Sequence, residues 1–298
     1  MKIGYFADGP WSHRAIKKIL LDPTLEVTFI CARYDNPDLI LKQIAIENKI
    51  PFLIHPKINT NEFIGQIQNL QSDIFVSMSF NQIFKEKIIS IPRYKTINCH
   101  AGALPFYRGR NILNWVLIND EKDFGITVHY VDAGIDTGDI LVQKKYPITD
   151  KDNYKSLLEL AHQECAEVLV EAIKLVQSNQ VRPIKQNEIH PIGFYCTQRK
   201  EGDEIINWEN SSREIFNFVR AITEPGPVAR TFLNGDEVKI HEAKWIKEAP
   251  RFKGIEGAVI GVDAEGFSVK TGDSFVKIGK FEGCKNPKIG DRFSNSKK

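Results

Sequence analysis

Residues 2–7, KIGYFA, form a nearly unbroken apolar run closed by Asp8-Gly9-Pro10, and behind it the apolar positions of SHRAIKKILL recur at helical spacing. The first run predicts a strand, and the second a helix with Ser12 as its N-cap. The same alternation continues. EVTFICA (26–32) reads as a strand, NPDLILKQIAIENK (36–49) as a helix, PFLIHP (51–56) as a short strand, NTNEFIGQIQNL (59–70) as a helix and SDIFVSMSF (72–80) as a strand. KTINCHA (95–101) and FGITVHYVD (124–132) are strands flanking a helix in NILNWVLIND (111–120), and residues 154–177 make one long amphipathic helix. Strands apolar on both faces, alternating with helices, predict a Rossmann-like α/β fold: a mostly parallel sheet with helices on both faces.

From about residue 203 the period changes. EIINWENSSREIFNFVRAI (204–222) is one more helical stretch, followed by short β runs between Gly-rich turns: ARTFL, EVKIHEAKWI behind Asn234-Gly235-Asp236, EGAVIGV, FSVK and SFVKIG. Such spacing predicts a small antiparallel barrel. Two domains are expected, residues 1–190 and residues 203–298, with a polar, proline-containing linker over 181–202.

Composition narrows the partner. The 298 residues carry 40 Lys and Arg against 38 Asp and Glu, a net charge of +2, so there is no basic footprint for nucleic acid and none for an anionic membrane. A small-molecule partner is expected. Five cysteines at 31, 99, 165, 196 and 284 form no CxxC pair, and MKIGYFADGP enters a strand without signal-peptide character. No apolar run approaches the ~20 residues of a membrane span. These features predict a cytoplasmic protein with free thiols. The first strand-to-helix turn, FADGPWSH, lacks GxGxxG, so the Rossmann-like order brings no warrant for a dinucleotide.

The candidate chemistry begins in NCHAGALPFYRGR (98–110). Side chains alternate along a strand, so Asn98 and His100 share a face and Cys99 points the other way, which argues against a Cys99 nucleophile working with His100. A carboxamide donor beside a group that titrates near neutrality suits the steadying of an oxyanion and the movement of a proton. The loop that follows lies beyond the carboxyl end of its strand, where open α/β sheets place ligands. Further on, TVHYVDAGIDTGDI offers three carboxylates, Asp132, Asp136 and Asp139, any of which would serve to orient an imidazole; spacing does not choose among them. Gly9 and Trp11 in the first turn, with Arg108, Gly109, Arg110, Asn111 and Asn114, are candidates for a diphosphate-bearing substrate, since arginines and helix N-termini suit one. The seven histidines have no metal-ligand spacing, and no metal is expected.

Asn98-Cys99-His100, then LPFYRGR, then GITVHYVDAGIDTGDIL resemble the formyltransferases that use N10-formyltetrahydrofolate. The resemblance implies Asn98, His100 and Asp136 as the catalytic residues, and so supplies the choice among the three aspartates. It also implies that the co-substrate binds at Phe80, Asn81, Ile83, Leu104, Ala133, Gly134 and Ile135, without a metal. GDEIINW, VRAITEPGPVARTFLNGDEVKIHEA and GAVIGVDAEGFSVKTGD are similar to the barrel-like, OB-type second domain of the methionyl-tRNA formyltransferase branch, so the resemblance runs along nearly the whole chain. YRGRNILNWVLIND is most similar to the branch that formylates UDP-4-amino-4-deoxy-arabinose. Two departures from the tRNA branch point the same way. CARYDNPDLILKQIA passes directly into a helix where tRNA enzymes carry a basic, Gly-rich insert, and residues 203–298 show no basic excess. The implied acceptor is therefore a nucleotide-linked amino sugar (UDP- or dTDP-linked) for surface-glycan (O-antigen) biosynthesis rather than nucleic acid, with methionyl-tRNA formyltransferase as the alternative. The implied assembly is a homodimer.

Overall fold

In a computed structural model that describes residues 1–285 and 287–297, the chain runs β1 (Lys2–Ala7), α1 (Gly9–Leu21), β2 (Glu26–Ala32), α2 (Leu39–Glu47), β3 (Phe52–Ile54), α3 (Asn61–Gln68), β4 (Ile74–Met78), α4 (Glu86–Ile89) and β5 (Thr96–His100). It continues through β6 (Arg108–Gly109), α5 (Ile112–Ile118), β7 (Asp123–Tyr130), β8 (Ile140–Pro147), α6 (Tyr154–Gln177), α7 (Gln186–Ile189) and β9 (Tyr195–Cys196). The last part holds α8 (Ser212–Ala221), β10 (Ala229–Leu233), β11 (Asp236–Trp245), β12 (Val259–Asp263), β13 (Gly266–Lys270), β14 (Phe275–Glu282) and β15 (Phe293–Ser294).

Seven strands form one sheet in the order β3-β2-β1-β4-β5-β7-β8. β1, β2, β3, β4 and β5 pair in parallel, whereas β7 runs antiparallel to β5. The expected mostly parallel sheet is thus present. Because β1 lies between β2 and β4, the chain leaves the sheet centre in opposite directions on either side of it, and the carboxyl ends of β1 and β4 define the crevice where such sheets bind ligands. Beside this crevice sits an aromatic core. Phe6 on β1 meets Phe29, Phe75, Phe80 and Phe84 edge-on at centroid distances of 5.3, 5.4, 5.5 and 4.9 Å. Edge-to-face rings at these separations add about 0.5–1.5 kcal/mol per pair beyond area burial, so the strand ends rest on a stiff base.

Three local expectations shift. Helix α1 starts at Gly9 behind Asp8, with Pro10 in its first turn; Ser12 lies inside the helix, buried, its Oγ donating to the Gly9 carbonyl at 2.8 Å. The helical stretch expected over 204–222 begins only after Ser211, whose hydroxyl and the Glu214 carboxylate form a reciprocal capping box. β8 was not foreseen, because ILVQKKYP loses its apolar alternation halfway.

Two compact units emerge: residues 1–112, 124–146 and 159–196, and residues 113–123, 147–158 and 197–298. The second therefore takes in more than the expected 203–298, for a visible reason. Arg213 on α8 reaches Asp120 at 2.5 Å and Asp150 at 2.7 Å, and Arg220 donates to the Thr149 carbonyl at 2.7 Å. These charged contacts bind the two short segments to α8. Within this unit β12-β13-β14-β11-β10-β15 form an antiparallel sheet, and a bridge between Ala258 and Arg292 joins its two edges into a partly closed barrel around Phe267 and Phe293.

Candidate active site

The site is assembled by register. β5 and β7 pair so that Asn98 lies opposite His129 and His100 opposite Thr127. Since directly opposed residues share a face, all four side chains emerge on one side of the sheet. Cys99 turns to the other side, where its thiol lies 3.6 Å from the Cys165 carbonyl of α6. The Asn98 and His100 pattern thus holds, and it gains a partner that no local signal in the sequence identifies: His129.

Asp136 closes the group from the loop after β7. Its carboxylate lies 3.6 Å from His100 Nδ1 and 3.4 Å from His129 Nε2, and it accepts the backbone N–H of Gly109 at 2.9 Å. Burial alone would raise this acid, but His100, His129 and the Gly109 amide outweigh it and hold the carboxyl well below the usual carboxylate range. Asp136 is therefore ionised at neutral pH, 12% exposed, with an imidazole on each side.

The proton inventory follows from the acceptors. His129 Nδ1 is 2.7 Å from the Tyr130 carbonyl, and His100 Nε2 is 2.7 Å from the Tyr107 carbonyl. A carbonyl only accepts, so both of these nitrogens carry hydrogen. The variable proton of His100 consequently resides on Nδ1, the nitrogen facing Asp136. His129 Nε2, when unprotonated, accepts from Asn98 Nδ2 at 3.2 Å, and the same amide is 3.5 Å from Asp136 Oδ1. These are long bonds, so the Asn98 amide is oriented yet can be redirected to a new acceptor at small cost.

The other candidates separate into groups. Gly109 joins the site through its amide. Asp132 folds the loop itself, accepting from Gly134 N at 3.1 Å and Thr137 Oγ1 at 2.6 Å. Phe80 and Val131 both pack against the aromatic cluster, so the 80–83 loop and the 131–135 segment flank one apolar base. On these two segments Ile83 and Ile135 are 64% and 53% exposed, and Ala133 and Gly134 are exposed as well. Asn81 donates to Asp35 at 3.2 Å, while Leu104 is buried and its carbonyl accepts from Gln143 at 2.8 Å. Gly9 adopts φ +66° and donates to Asp38 at 2.9 Å; Trp11 lies edge-on to His162 at 4.5 Å. Arg110 and Asn111 are exposed. Arg108 is engaged internally, donating to Gln186 Oε1 from Nε at 3.1 Å and from Nη2 at 2.6 Å, with its guanidinium 5.4 Å from the Tyr195 ring centroid. Asn114 is 2% exposed and donates to the Ala221 carbonyl at 2.7 Å, which tethers it to the end of α8. Among the described residues no group of three or more His, Cys, Asp or Glu is placed to hold a metal ion, and no helix is long and apolar enough to cross a membrane.

A buried carboxylate between two imidazoles, with a carboxamide donor across from it at the carboxyl edge of the sheet, is equipment for acyl-group transfer: it stabilises an oxyanion and moves a proton. Comparison with known proteins makes the class specific. The family described as formyl transferase matches residues 25–173, and its C-terminal domain family matches residues 199–297. The chain belongs to the formyl transferase family and is an N-formyltransferase.

Among curated relatives, the methionyl-tRNA formyltransferase of Clostridium acetobutylicum is 33% identical over 254 residues, 84% of this chain and 80% of its own length. That of Fusobacterium nucleatum is 31% identical over 93% of this chain and 91% of its own. Among solved structures, a sugar 3N-formyl transferase crystallised with dTDP and 5-N-formyl-THF superposes with a TM-score of 0.69 at 23% identity, covering 97% of this chain and 99% of that one. An N-formyltransferase from Helicobacter canadensis, in complex with folinic acid and dTDP-3-aminofucose, gives 0.65 at 23% identity over 94% and 99%. At that identity the structural likeness establishes the fold.

Proposed function

We propose that the protein transfers the formyl group of N10-formyltetrahydrofolate to the primary amine of a nucleotide-linked amino sugar. The formyl-transfer half of this reading is carried by Asp136 lying between His100 and His129 with Asn98 beside them. The unprotonated amine attacks the formyl carbon, and the carbonyl oxygen becomes an oxyanion that the Asn98 amide and a protonated His100 stabilise. Asp136 supports the imidazolium. The protonated His100 gives its proton to N10 as the C–N10 bond breaks and regains one from the former amine nitrogen, leaving an N-formyl acceptor and tetrahydrofolate. The donor's pterin enters between the 80–83 loop and the 131–135 segment, with Ile83 and Ile135 as its apolar rim. No step requires a metal.

The acceptor is chosen on two features of this chain. The connection from β2 to α2 is only residues 33–38, which leaves no room for a basic wedge. Residues 203–298 carry 15 acidic and 16 basic side chains, too even a balance for phosphate neutralisation to supply affinity. A second reading, formylation of charged initiator tRNA, is favoured by the sequence relatives cited above, both of them methionyl-tRNA formyltransferases and both more similar in sequence to this chain than the two solved structures cited. On relatedness alone it is the better supported of the two. The test is to incubate the protein and N10-formyltetrahydrofolate with UDP-, dTDP- and GDP-linked amino sugars and separately with methionyl-tRNA. Gain of a formyl mass on a sugar nucleotide supports the first reading. Formylation of the tRNA with every sugar unreacted replaces it with the second.

A further inference from the structure

Gln186, on α7, is 5% exposed and far in sequence from every catalytic residue, yet its carboxamide uses all of its principal bonding capacity on the walls of the site. One nitrogen, Nε2, donates to the Asp136 carbonyl at 2.8 Å and to the Gly138 carbonyl at 2.8 Å; the oxygen accepts both Nε and Nη2 of Arg108. The two carbonyls belong to a loop without ladder partners at those positions, and a buried carbonyl left unsatisfied costs about 1–3 kcal/mol. The need is sharpened by backbone strain. Asp136 sits at φ 54° in the left-handed region, a conformation that costs a non-glycine residue on the order of 1 kcal/mol or more. On the other side, Arg108 belongs to β6, whose next residue, Gly109, supplies the amide that holds the Asp136 carboxylate. β6 is itself fixed by pairing with β9, Arg108 opposite Tyr195 and Gly109 opposite Cys196. A side chain at Gly109, where φ is +95°, would collide with the Cys196 carbonyl.

We infer that Gln186 is the positioning residue for Asp136: with Arg108 it clamps the Asp136 loop to β6, so that the carboxylate is delivered between His100 and His129. This rests on the formyl-transfer reading only for its consequence in catalysis; the placement of Asp136 is a property of the folded chain. The charged and titratable groups around that carboxylate are His100 on β5, His129 on β7, Arg108 on β6 at one remove through Gln186, and Asp132 and Asp139 on its own loop. Of the two loop acids, Asp132 is bonded to Gly134 and Thr137, and Asp139 lies where its backbone pairs with Tyr130. Nothing in that set compensates for a displaced loop.

The experiment uses the full chain labelled with aspartate carrying carbon-13 at the side-chain carboxyl, with the Asp136 signal assigned by its loss in Asp136→Asn. In the wild type the signal stays in its ionised position down to the acid limit of the folded state. In Gln186→Leu the carboxylate loses its place between the imidazoles and beside the Gly109 amide. Its titration then enters the pH range in which the protein is folded, and kcat falls at least tenfold while donor KM changes less than threefold. Arg108→Met, which leaves the Nε2 bonds in place, gives a smaller shift in the same direction and stands in if Gln186→Leu does not fold. An Asp136 titration identical to wild type in the folded variants overturns the inference. Absence of formyl transfer by the wild type to any amine would overturn the functional reading and leave the carboxylate result standing.

Discussion

Replacing Asp136 by Asn separates charge from shape at the centre of the site. The Asn oxygen can still accept the Gly109 N–H, and its NH2 can face His129 Nε2, so the fold loses only about 1–2 kcal/mol. What disappears is the negative charge 3.6 Å from His100 and 3.4 Å from His129. At an effective dielectric of about 20, unit charges at roughly 4 Å interact by about 4 kcal/mol. A loss of that size from the imidazolium present in the transition state is a factor of ~10³ in kcat, at about 1.4 kcal/mol per tenfold. The assay is single-turnover formyl transfer from N10-formyltetrahydrofolate across pH 6–9, with urea unfolding in parallel. The same substitution has a signature in stability. The folded-state acidity of Asp136 lies below the ~3.9 of an unfolded aspartate, so its ionised form stabilises the protein above that value and the contribution is lost as pH falls through the folded-state one. The difference in unfolding free energy between wild type and Asp136→Asn therefore shrinks below about pH 4. An Asp136→Asn enzyme within tenfold of wild type, or a stability difference that still grows below about pH 4, would refute the reasoning.

Other expectations follow from the same geometry. Gly102→Ala places a Cβ against His100 Nε2 and 2.5 Å from the Tyr107 carbonyl; it should cut kcat by 10² or more without altering any catalytic side chain, and unchanged turnover would show that His100 need not hold its bond to Tyr107. Asn114→Ala should lower stability by about 1–2 kcal/mol, read as a drop in Tm, with KM for the acceptor unchanged; a raised acceptor KM at constant Tm would return Asn114 to the substrate site. Ile83→Ser and Ile135→Ser each remove on the order of 1 kcal/mol of apolar burial from a bound pterin, and each should raise donor KM three- to tenfold with little change in kcat; equal affinity for 5-formyltetrahydrofolate by calorimetry would place the donor elsewhere.

The sequence was most legible where one local signal sufficed. α6 and β10 occupy the expected residues because long amphipathic spacing and a five-residue β-rich run leave little to tertiary context. That Asn98 and His100 share a face was readable from strand alternation; the role given to them came from the resemblance. Asp136 was separable from Asp132 and Asp139 only by resemblance, since the three differ in which atoms they meet and not in local pattern. His129 and Gln186 were not legible. The first joins the site through the pairing of β5 with β7, and the second crosses 50 residues to reach Asp136; neither register nor long-range bonding leaves a local trace. Two missed boundaries had visible signs: Pro10 in the first turn of α1, and Ser211 three residues before Glu214. Arg108 and Asn114 were candidates because arginines and helix starts suit a diphosphate, and their bonds to Gln186 and Ala221 leave no trace in the local sequence.

The proposed transfer at this site runs from a reduced folate to a sugar amine. The most direct measurement offers both acceptor classes in one vessel: equal concentrations of a dTDP- or UDP-linked amino sugar and methionyl-tRNA, with limiting N10-formyltetrahydrofolate labelled in the formyl carbon. The account predicts that the label appears on the sugar nucleotide, in step with tetrahydrofolate release, and that both are lost in His100→Ala. Label on the tRNA instead would contradict the acceptor, and tetrahydrofolate release with label only in free formate would contradict transfer to an amine.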